Sequence, residues 1–414
     1  MSHIRKAVIA AVAALALAGS TDAQARPAQR VLNVQEFRLD NPPEAAPGLS
    51  AGGFSGITHI PGDPADIIYA INDRGPHSLV SGRRTFYSPE LIPSIWKLRI
   101  SEGQVEVLER IYIKRPDGTP ISGRPNLSGV DETPYDWTGT TQLTFDPHGL
   151  DLEGISYDPV DDTFWLCDEY KTLINVRRDG TIIERLAPQG WAAMLNTGYV
   201  RDVFPAYYAN MPRNRGFEAI SVSPGGRVVF GAAQTPMNIP TAAVGNNSLM
   251  TRIAVLDLES RVQTAEYIFV RESVANYPTV LQVDVNIGDI HALSSTRLLV
   301  VERDKHFGSN SRLKKIFLAD LSQATNVMGI SSINGKSLEA MTPAELVANG
   351  ITPMTKTLLV DVLEAIPGYP YEKLEGMTMI DSRKIVICAD NDYGFEPPYM
   401  NPACHRIMFQ NPIE

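Results

Sequence analysis

The sequence has little cysteine, few long apolar runs and no run of basic residues. Apart from the N-terminal run AVIAAVAALALAG, no stretch approaches the about 20 apolar residues that a bilayer-spanning helix needs. The whole chain has a formal charge of −10, and without residues 1–25, which carry Arg5, Lys6 and Asp22, the charge becomes −11. An acidic surface without a basic cluster repels nucleic-acid phosphates. We therefore expect neither a membrane span in the mature chain nor a nucleic-acid partner.

The three cysteines allow at most one intramolecular disulfide. Cys388 and Cys404 lie near the C-terminus and are the candidate pair, with Cys167 left as a free thiol. The alternative is that all three are buried thiols that behave as small apolar residues.

The N-terminus has the pattern of a secretory signal peptide. Arg5 and Lys6 precede the apolar run, and Ala23-Gln24-Ala25 offers a cleavage site between small residues. The sequence thus predicts a signal peptide at 1–25, export to the periplasm or the medium, and a single mature domain at 26–414.

Several common catalytic motifs are missing from the sequence. It contains no G-x-S-x-G elbow, no HExxH pair, no P-loop and no dinucleotide fingerprint. A serine nucleophile on a strained elbow is therefore not supported.

Five segments of the chain share one design, in which a polar or acidic residue opens a short strand and a turn leads into a second, β-branched strand. The five segments are GFSGITHI…IIYAINDRG (53–75), DLEGISYDPVDDTFWLCDEY (151–170), GFEAISVSPGGRVVFGAAQ (216–234), IGDIHALSSTRLLVVERD (287–304) and KLEGMTMIDSRKIVICADND (373–392).

Two further strand-like runs follow each segment, except the last, which has one. Four strands per repeat are typical of a β-propeller blade, so the sequence predicts an all-β propeller with five four-stranded blades. The segment RVLNVQEFRL (30–39) is a spare strand, which would complete the fifth blade and close the ring. The long insert 115–150 leaves six blades open, and the alternative folds are an elongated stack of sheets or a pair of β-sandwiches.

The repeats place polar residues in two columns, at the start of each first strand and at the end of each second strand. Antiparallel pairing brings these two positions to the same end of the channel. Carboxylates that lie so close need compensation, and Ca²⁺, which takes six to eight oxygen ligands, supplies it. The predicted calcium ligands are Glu153, Asp168, Glu218, Asp289, Glu302, Asp304, Glu375, Asp390 and Asp392.

The same mouth supplies candidate catalytic residues. Arg74 is a candidate for binding an anionic substrate group, and His148 is a candidate acid or base. Asp73 and Glu169 complete the predicted catalytic set. The alternative is structural: the acids bond loop backbones, with Arg74 and Arg303 closing salt bridges.

The segments GFSGI with INDRG, LEGISYDP with FWLCDEY, NRGFEAISVSP, LLVVERD with KKIFLADL, and KLEGMTMI with ICADNDYG resemble the bacterial family called "esterase-like activity of phytase". The resemblance covers essentially the whole mature chain. It implies an exported β-propeller that hydrolyses esters or phosphoesters of small molecules.

Two classes of function follow from these observations. The first is calcium-assisted hydrolysis of an ester or phosphoester at the acidic mouth, with a calcium-dependent lactonase as a close variant. The second is a non-catalytic binding propeller of the cell envelope, in which the metal only stabilises the fold.

Overall fold

A computed structural model describes residues 27, 29–396 and 398–414. The predicted signal peptide at 1–25 lies outside the described residues. The described chain is an all-β, propeller-like fold, in which most strands fall into five groups of neighbouring strands, antiparallel apart from one parallel pair in the second group. Among these residues, no helix is long and apolar enough to cross a membrane.

The strands of each group follow one another in both sequence and space. The second strands, such as IIYAIN and TFWLCD, are rich in β-branched and aromatic residues and are buried throughout, as strands covered on both faces are. The first strand, β1, spans Val31–Arg38 and is described below. Group 1 contains β2 (Phe54–Thr58), β3 (Ile67–Asn72), β4 (Ser94–Ser101) and β5 (Gln104–Tyr112). Group 2 contains β6 (Leu152–Asp158), β7 (Thr163–Asp168), β8 (Thr172–Arg177), β9 (Ile182–Pro188) and β10 (Val200–Phe204).

The last three groups repeat the arrangement. Group 3 contains β11 (Phe217–Val222), β12 (Val228–Ala233), β13 (Met250–Asp257) and β14 (Val262–Val270). Group 4 contains β15 (Asn286–Ala292), β16 (Arg297–Arg303), β17 (Lys314–Asp320) and β18 (Thr355–Asp361). Group 5 contains β19 (Lys373–Asp381), β20 (Lys384–Asp390) and β21 (Ala403–Phe409).

Strand β1 joins the two ends of the chain. It pairs antiparallel with β21, from Val31 opposite Phe409 to Arg38 opposite Ala403. The predicted pairing of the spare N-terminal strand with the last repeat is therefore present. A single parallel pair, Arg38 with Gln104, also links β1 to β5.

The connections between strands contain short elements. The insert at 115–150 contributes a short strand, Pro134–Asp136. It pairs with Arg83–Phe86, which forms a hairpin with His77–Val80. The remaining short strands are Glu44–Ala46, Leu49–Ser50, Ser332–Ile333 and Lys336–Ser337. The helices are α1 (Trp191–Leu195), α2 (Ala242–Asn247), α3 (Pro343–Ala348) and α4 (Val362–Ala365). The 3₁₀ turns are Ala206–Asn210, Val274–Asn276, Gln282–Asp284, Gly308–Asn310, Leu338–Ala340 and Asp392–Gly394.

Two of the cysteines form a cross-strand disulfide. Cys388 on β20 and Cys404 on β21 are paired in register, and a disulfide joins them, whereas Cys167 is a buried free thiol. The structure therefore contains the candidate pair rather than three thiols.

The first strands of the groups pack against one another in order. Strand β2 contacts β6, β6 contacts β11, β11 contacts β15, β15 contacts β19, and β19 contacts β2. Small residues permit this close approach: a Cβ added at Gly56 would lie 2.8 Å from the Cα of Gly154 in the neighbouring strand. The acidic positions lie beside these glycines, so close strand packing is what brings the acids together.

We expect Gly56→Ala to destabilise the fold by about 1–3 kcal/mol, because the added methyl group meets backbone that cannot move aside. Urea unfolding measures the change. Gly225→Ala is the matched control, since the atom nearest to its added Cβ is Arg227 Cγ at 3.8 Å. Equal stability of the two variants would contradict the packing argument.

Candidate active site

Each first strand contains a one-residue irregularity near its start. In groups 2, 3 and 5 the residue left out of the pairing is an acid, namely Glu153, Glu218 or Glu375. A β-bulge re-aims the side chain of the extra residue. The bulges bring these three glutamates together, with one carboxylate oxygen of each within 4.8 Å of the others.

The bulge also corrects one predicted ligand. In group 4 the unpaired residue is Gly288, and Asp289 is paired with Val301. The repeat pattern aligned Asp289 with the bulged glutamates, but the bulge of group 4 falls one residue earlier. A shift of one residue turns a strand side chain to the other face of the sheet. Asp289 instead accepts hydrogen bonds from the backbone N–H groups of Met377 (2.6 Å) and Ile290 (2.8 Å).

The second polar column lies at or just beyond the ends of the second strands. It consists of Asp73, Glu169, Gln234, Arg303 and Asp390. The residues one position earlier, among them Asp168 and Glu302, have side chains that point the opposite way, because successive strand residues alternate. Glu169 and Arg303 therefore line the cavity, whereas Asp168 and Glu302 do not.

A cavity of about 600 Å³ opens at this end of the five groups. That volume suits a small organic molecule. Its lining combines acidic, basic and uncharged side chains. The acidic ones are Asp73, Asp151, Glu153, Glu169, Glu372, Glu375, Asp392 and Glu396; the basic ones are His77, Arg84, Arg303, Lys305 and Lys373; the uncharged ones are Pro76, Ser78, Leu79, Trp137, Asn214, Gln234 and Phe395.

Three carboxylates form what we call the acidic triad: Asp151, Glu153 and Glu169. One oxygen of each lies within 4.8 Å of the others, and each residue is at most 9% exposed. Asp151 is paired with Arg74, whose Nε lies 3.1 Å from Asp151 Oδ2. Among the described residues, no side-chain cation pairs with Glu153 or Glu169, and Glu169 Oε2 is buried without a hydrogen-bond partner.

Two neighbouring acidic clusters have cations of their own. Arg303 donates to Glu375 Oε1 and lies 3.5 Å from Glu218 Oε1. Lys373 Nζ lies 2.7 Å from Asp390 Oδ2 and 2.6 Å from Asp392 Oδ1. Arg303 and Lys373 each contact two carboxylates of their clusters, whereas Arg74 contacts only Asp151 in the acidic triad, which leaves Glu153 and Glu169 without a paired cation in the described part of the chain.

The triad carboxyls resist ionisation. Burial, together with the charges of Glu169 and Asp151, raises the pKa of Glu153 well above its usual value. Burial and Asp151 raise the pKa of Glu169 to about 8, while Arg74 acts in the opposite direction. A bound cation would favour the ionised form of both groups.

A family model described as "Phytase-like: Esterase-like activity of phytase" matches residues 50–393. The chain belongs to the phytase-like family. The matched region contains all of the cavity-lining residues except Phe395 and Glu396, and it excludes β1 and β21. No curated protein matches the phytase-like chain.

Two solved structures that match the chain are distant. Hydrazine synthase of Kuenenia stuttgartiensis is 10% identical, with 82% of this chain and 77% of that chain covered and a TM-score of 0.37. A putative oxidoreductase (glucose dehydrogenase) of Thermus thermophilus is 11% identical, with 87% and 85% covered and a TM-score of 0.35.

In the phytase-like domain, Arg74 lies behind the cavity rather than on its wall. Its side chain is 2% exposed, and its guanidinium contacts Asp151, Glu132 and Asn214. These partners occupy the N–H donors that a substrate anion would need. The prediction that Arg74 binds the substrate therefore does not agree with its position in the structure. The structure places it as the counter-ion that positions Asp151.

Three predicted ligands of the phytase-like domain lie in buried pairs away from the cavity. Asp168 Oδ2 is 3.0 Å from Arg185, and Glu302 Oε1 is 2.5 Å from Lys356. Asp304 is paired with Lys314 and accepts the backbone N–H of Leu313 at 3.0 Å. These three residues therefore do not lie at the mouth as predicted, because each side chain points towards a cation on a strand of its own group.

His148 also lies outside the cavity lining, where Nδ1 is 2.8 Å from the hydroxyl of Tyr199. By contrast, Asp73, Glu153, Glu169, Glu375 and Asp392 line the cavity as predicted, and Glu218 and Asp390 contribute to its acidic clusters.

Several cavity residues of the phytase-like domain were not predicted from the sequence, among them Asp151, Lys373 and His77. Asp151 stands two residues before Glu153, a spacing that could have signalled a shared site. Lys373 is the first residue of the fifth repeat, and His77 follows the first repeat; neither position carries a repeating signal. His77 Nδ1 lies 3.1 Å from the carbonyl oxygen of Gly75, so Nδ1 carries the proton and Nε2 is left as an acceptor.

Proposed function

We propose that the phytase-like domain is an exported five-bladed β-propeller, closed by β1, that hydrolyses an ester or phosphoester with the help of calcium bound at the acidic triad. The blade count is supported by the five strand groups, and closure by the β1–β21 pairing and the contact of β19 with β2. Export is supported by the composition of residues 1–25.

The observation that carries the proposal is the unbalanced charge of the triad. Glu153 and Glu169 are buried carboxylates without a side-chain cation among the described residues, and one divalent ion would balance both. An all-oxygen set of carboxylates suits calcium, whereas zinc prefers histidine and cysteine ligands. Asp151, Glu153 and Glu169 would hold the ion.

A bound calcium ion supplies Lewis-acid polarisation of the carbonyl or phosphoryl oxygen and lowers the pKa of a nearby water. The protein contributes the proton acceptor. Arg303 holds Glu375 Oε1, which leaves Glu375 Oε2 buried and without a partner. Glu375 also lines the cavity and reaches the same cluster as Glu153. We assign Glu375 Oε2 as the general base that accepts the proton of the attacking water.

Stripping calcium from the purified chain with a chelator is expected to abolish hydrolysis of 4-nitrophenyl acetate or 4-nitrophenyl phosphate, and added calcium is expected to restore it. Circular dichroism checks that the fold is intact. Calcium binding by calorimetry without turnover of either compound would support the binding propeller and refute the hydrolase.

Glu375→Gln separates the base from the ligands. We expect kcat to fall about 100-fold, because general-base assistance is lost, while calcium affinity changes less than about threefold. Glu372→Gln, on the same cavity wall, is the control and should retain kcat. A Glu375→Gln variant with full activity would remove Glu375 from the mechanism.

A further inference from the structure

Part of the cavity wall is apolar and chemically unlike the acidic triad. Trp137, Phe395, Leu79 and Pro76 line the same cavity as the carboxylates. These residues come from three separate parts of the chain: the 115–150 insert, the segment after β20, and the 76–80 region beyond β3. We call Trp137 and Phe395 the aromatic shelf.

The shelf is held in place by a third ring behind it. The ring of Trp137 meets Tyr87 edge-on, with centroids 5.5 Å apart at 88°, and meets Phe395 at 6.1 Å and 86°. Tyr87 and Phe395 lie 4.6 Å apart. Edge-to-face pairs at these separations are attractive, so the three rings fix one another before any ligand arrives.

The backbone before and after Trp137 is also fixed. The strand Pro134–Asp136 pairs with Arg83–Phe86. Asp136 Oδ1 accepts the backbone N–H groups of Thr140 (2.9 Å) and Thr141 (3.1 Å), which closes the turn that carries Trp137. The indole therefore stands on a rigid turn.

The apolar part of the cavity wall is incompletely covered by the rest of the chain. Trp137 is 39% exposed and Leu79 is 60% exposed. A large ring that is supported on one side and open to a ligand-sized cavity on the other is typical of a binding surface for a flat apolar group. The acids deeper in the cavity would act on the bond next to that group.

We propose that the aromatic shelf selects an ester whose acyl part carries an aryl ring, so that the ring packs on Trp137 while the ester bond reaches the acidic triad. This inference rests on the proposed function and adds the substrate class. A compact aryl ester suits a cavity of about 600 Å³. A polyphosphorylated substrate fits less well, because Asp73, Asp151, Glu153 and Glu169 line the same space.

The test compares methyl phenylacetate with methyl acetate, which share a leaving group and differ by one aryl ring next to the acyl carbon. In the calcium-loaded full chain, Trp137→Ala should lower kcat/KM for methyl phenylacetate about tenfold, mainly through KM. The value for methyl acetate should stay within about twofold. Trp137→Phe, which retains a ring, should recover most of the loss.

Tyr112→Ala is the matched control. Tyr112 is 44% exposed, at the end of β5, and does not line the cavity, so both substrates should be unaffected. If Trp137→Ala slows the two esters equally, or slows neither, the shelf does not select the ring and the inference is wrong.

A binding measurement separates this inference from the proposed function. If the wild-type chain hydrolyses neither ester, the proposed function fails, and calorimetry with uncharged methyl phenylacetate, which is then not turned over, still tests the shelf. Binding that is lost in Trp137→Ala and retained in Tyr112→Ala would support the shelf. Absence of wild-type binding would overturn it.

Discussion

Replacing Glu153 by glutamine is expected to raise the Kd for calcium at least about 100-fold and to reduce hydrolysis in parallel. Loss of residues that only support a metal ligand costs about 10–100-fold in affinity, and Glu153 is proposed as a ligand itself. The substitution keeps the size of the side chain and removes its charge. Calorimetry and ester hydrolysis across a calcium titration measure the two effects.

The calcium-free stability of this variant should stay close to that of the wild type. Burial already raises the pKa of Glu153, which favours the neutral carboxyl that glutamine mimics. Glu396→Gln makes the same change at an exposed position of the cavity and is the control. Unchanged calcium affinity and activity in Glu153→Gln would refute the acidic triad as the metal site.

Replacing Arg185 by methionine is expected to destabilise the fold by about 3–5 kcal/mol, because it leaves the Asp168 carboxylate buried without its cation. Both side chains are fully buried, and Arg185 also donates to Thr172 Oγ1 and Asn126 Oδ1, at 2.8 Å each. Urea unfolding at pH 8 measures the loss. Arg201→Met breaks the pair with Glu184, in which the arginine is 48% exposed, and should cost at most about 1 kcal/mol.

The penalty should depend on pH. Burial raises the pKa of Asp168 to about 6 against the effect of Arg185, and without Arg185 the pKa rises further. Because the folded-state pKa exceeds the unfolded value of about 3.9, the folded state binds the extra proton and stability falls as pH rises through this window. The deficit of Arg185→Met should therefore be smaller at pH 5 than at pH 8, and an equal deficit would argue against an unpaired carboxylate as its cause.

The sequence allowed the strand groups and part of the site to be predicted. The repeated grammar of the five segments identified Glu153, Glu218 and Glu375 as equivalent, and the three meet in space. Hydrophobic pattern and turn residues sufficed for this because strand period and pairing are local properties.

Other site residues were predicted in the wrong place, because β-bulges and tertiary packing cannot be read from a sequence pattern. The bulge in β15 falls on Gly288, so the acid next to it, Asp289, belongs to the other face. At the end of β7, alternation sends Asp168 towards Arg185 and Glu169 into the cavity. Trp137 lies in the 115–150 insert, outside the repeats, and reaches the cavity through tertiary packing.

The pairing of β1 with β21 has a consequence for folding during synthesis. Val31 and Phe409 are partners across 378 positions of sequence, the difference between their numbers. At about 5–20 residues per second, a ribosome needs roughly 20–75 s to make the second partner after the first. Throughout that interval one edge of β1 lacks its main partner, so the earliest strand to be made is among the last to be fully paired, and its exposed edge would benefit from a chaperone or from delayed folding.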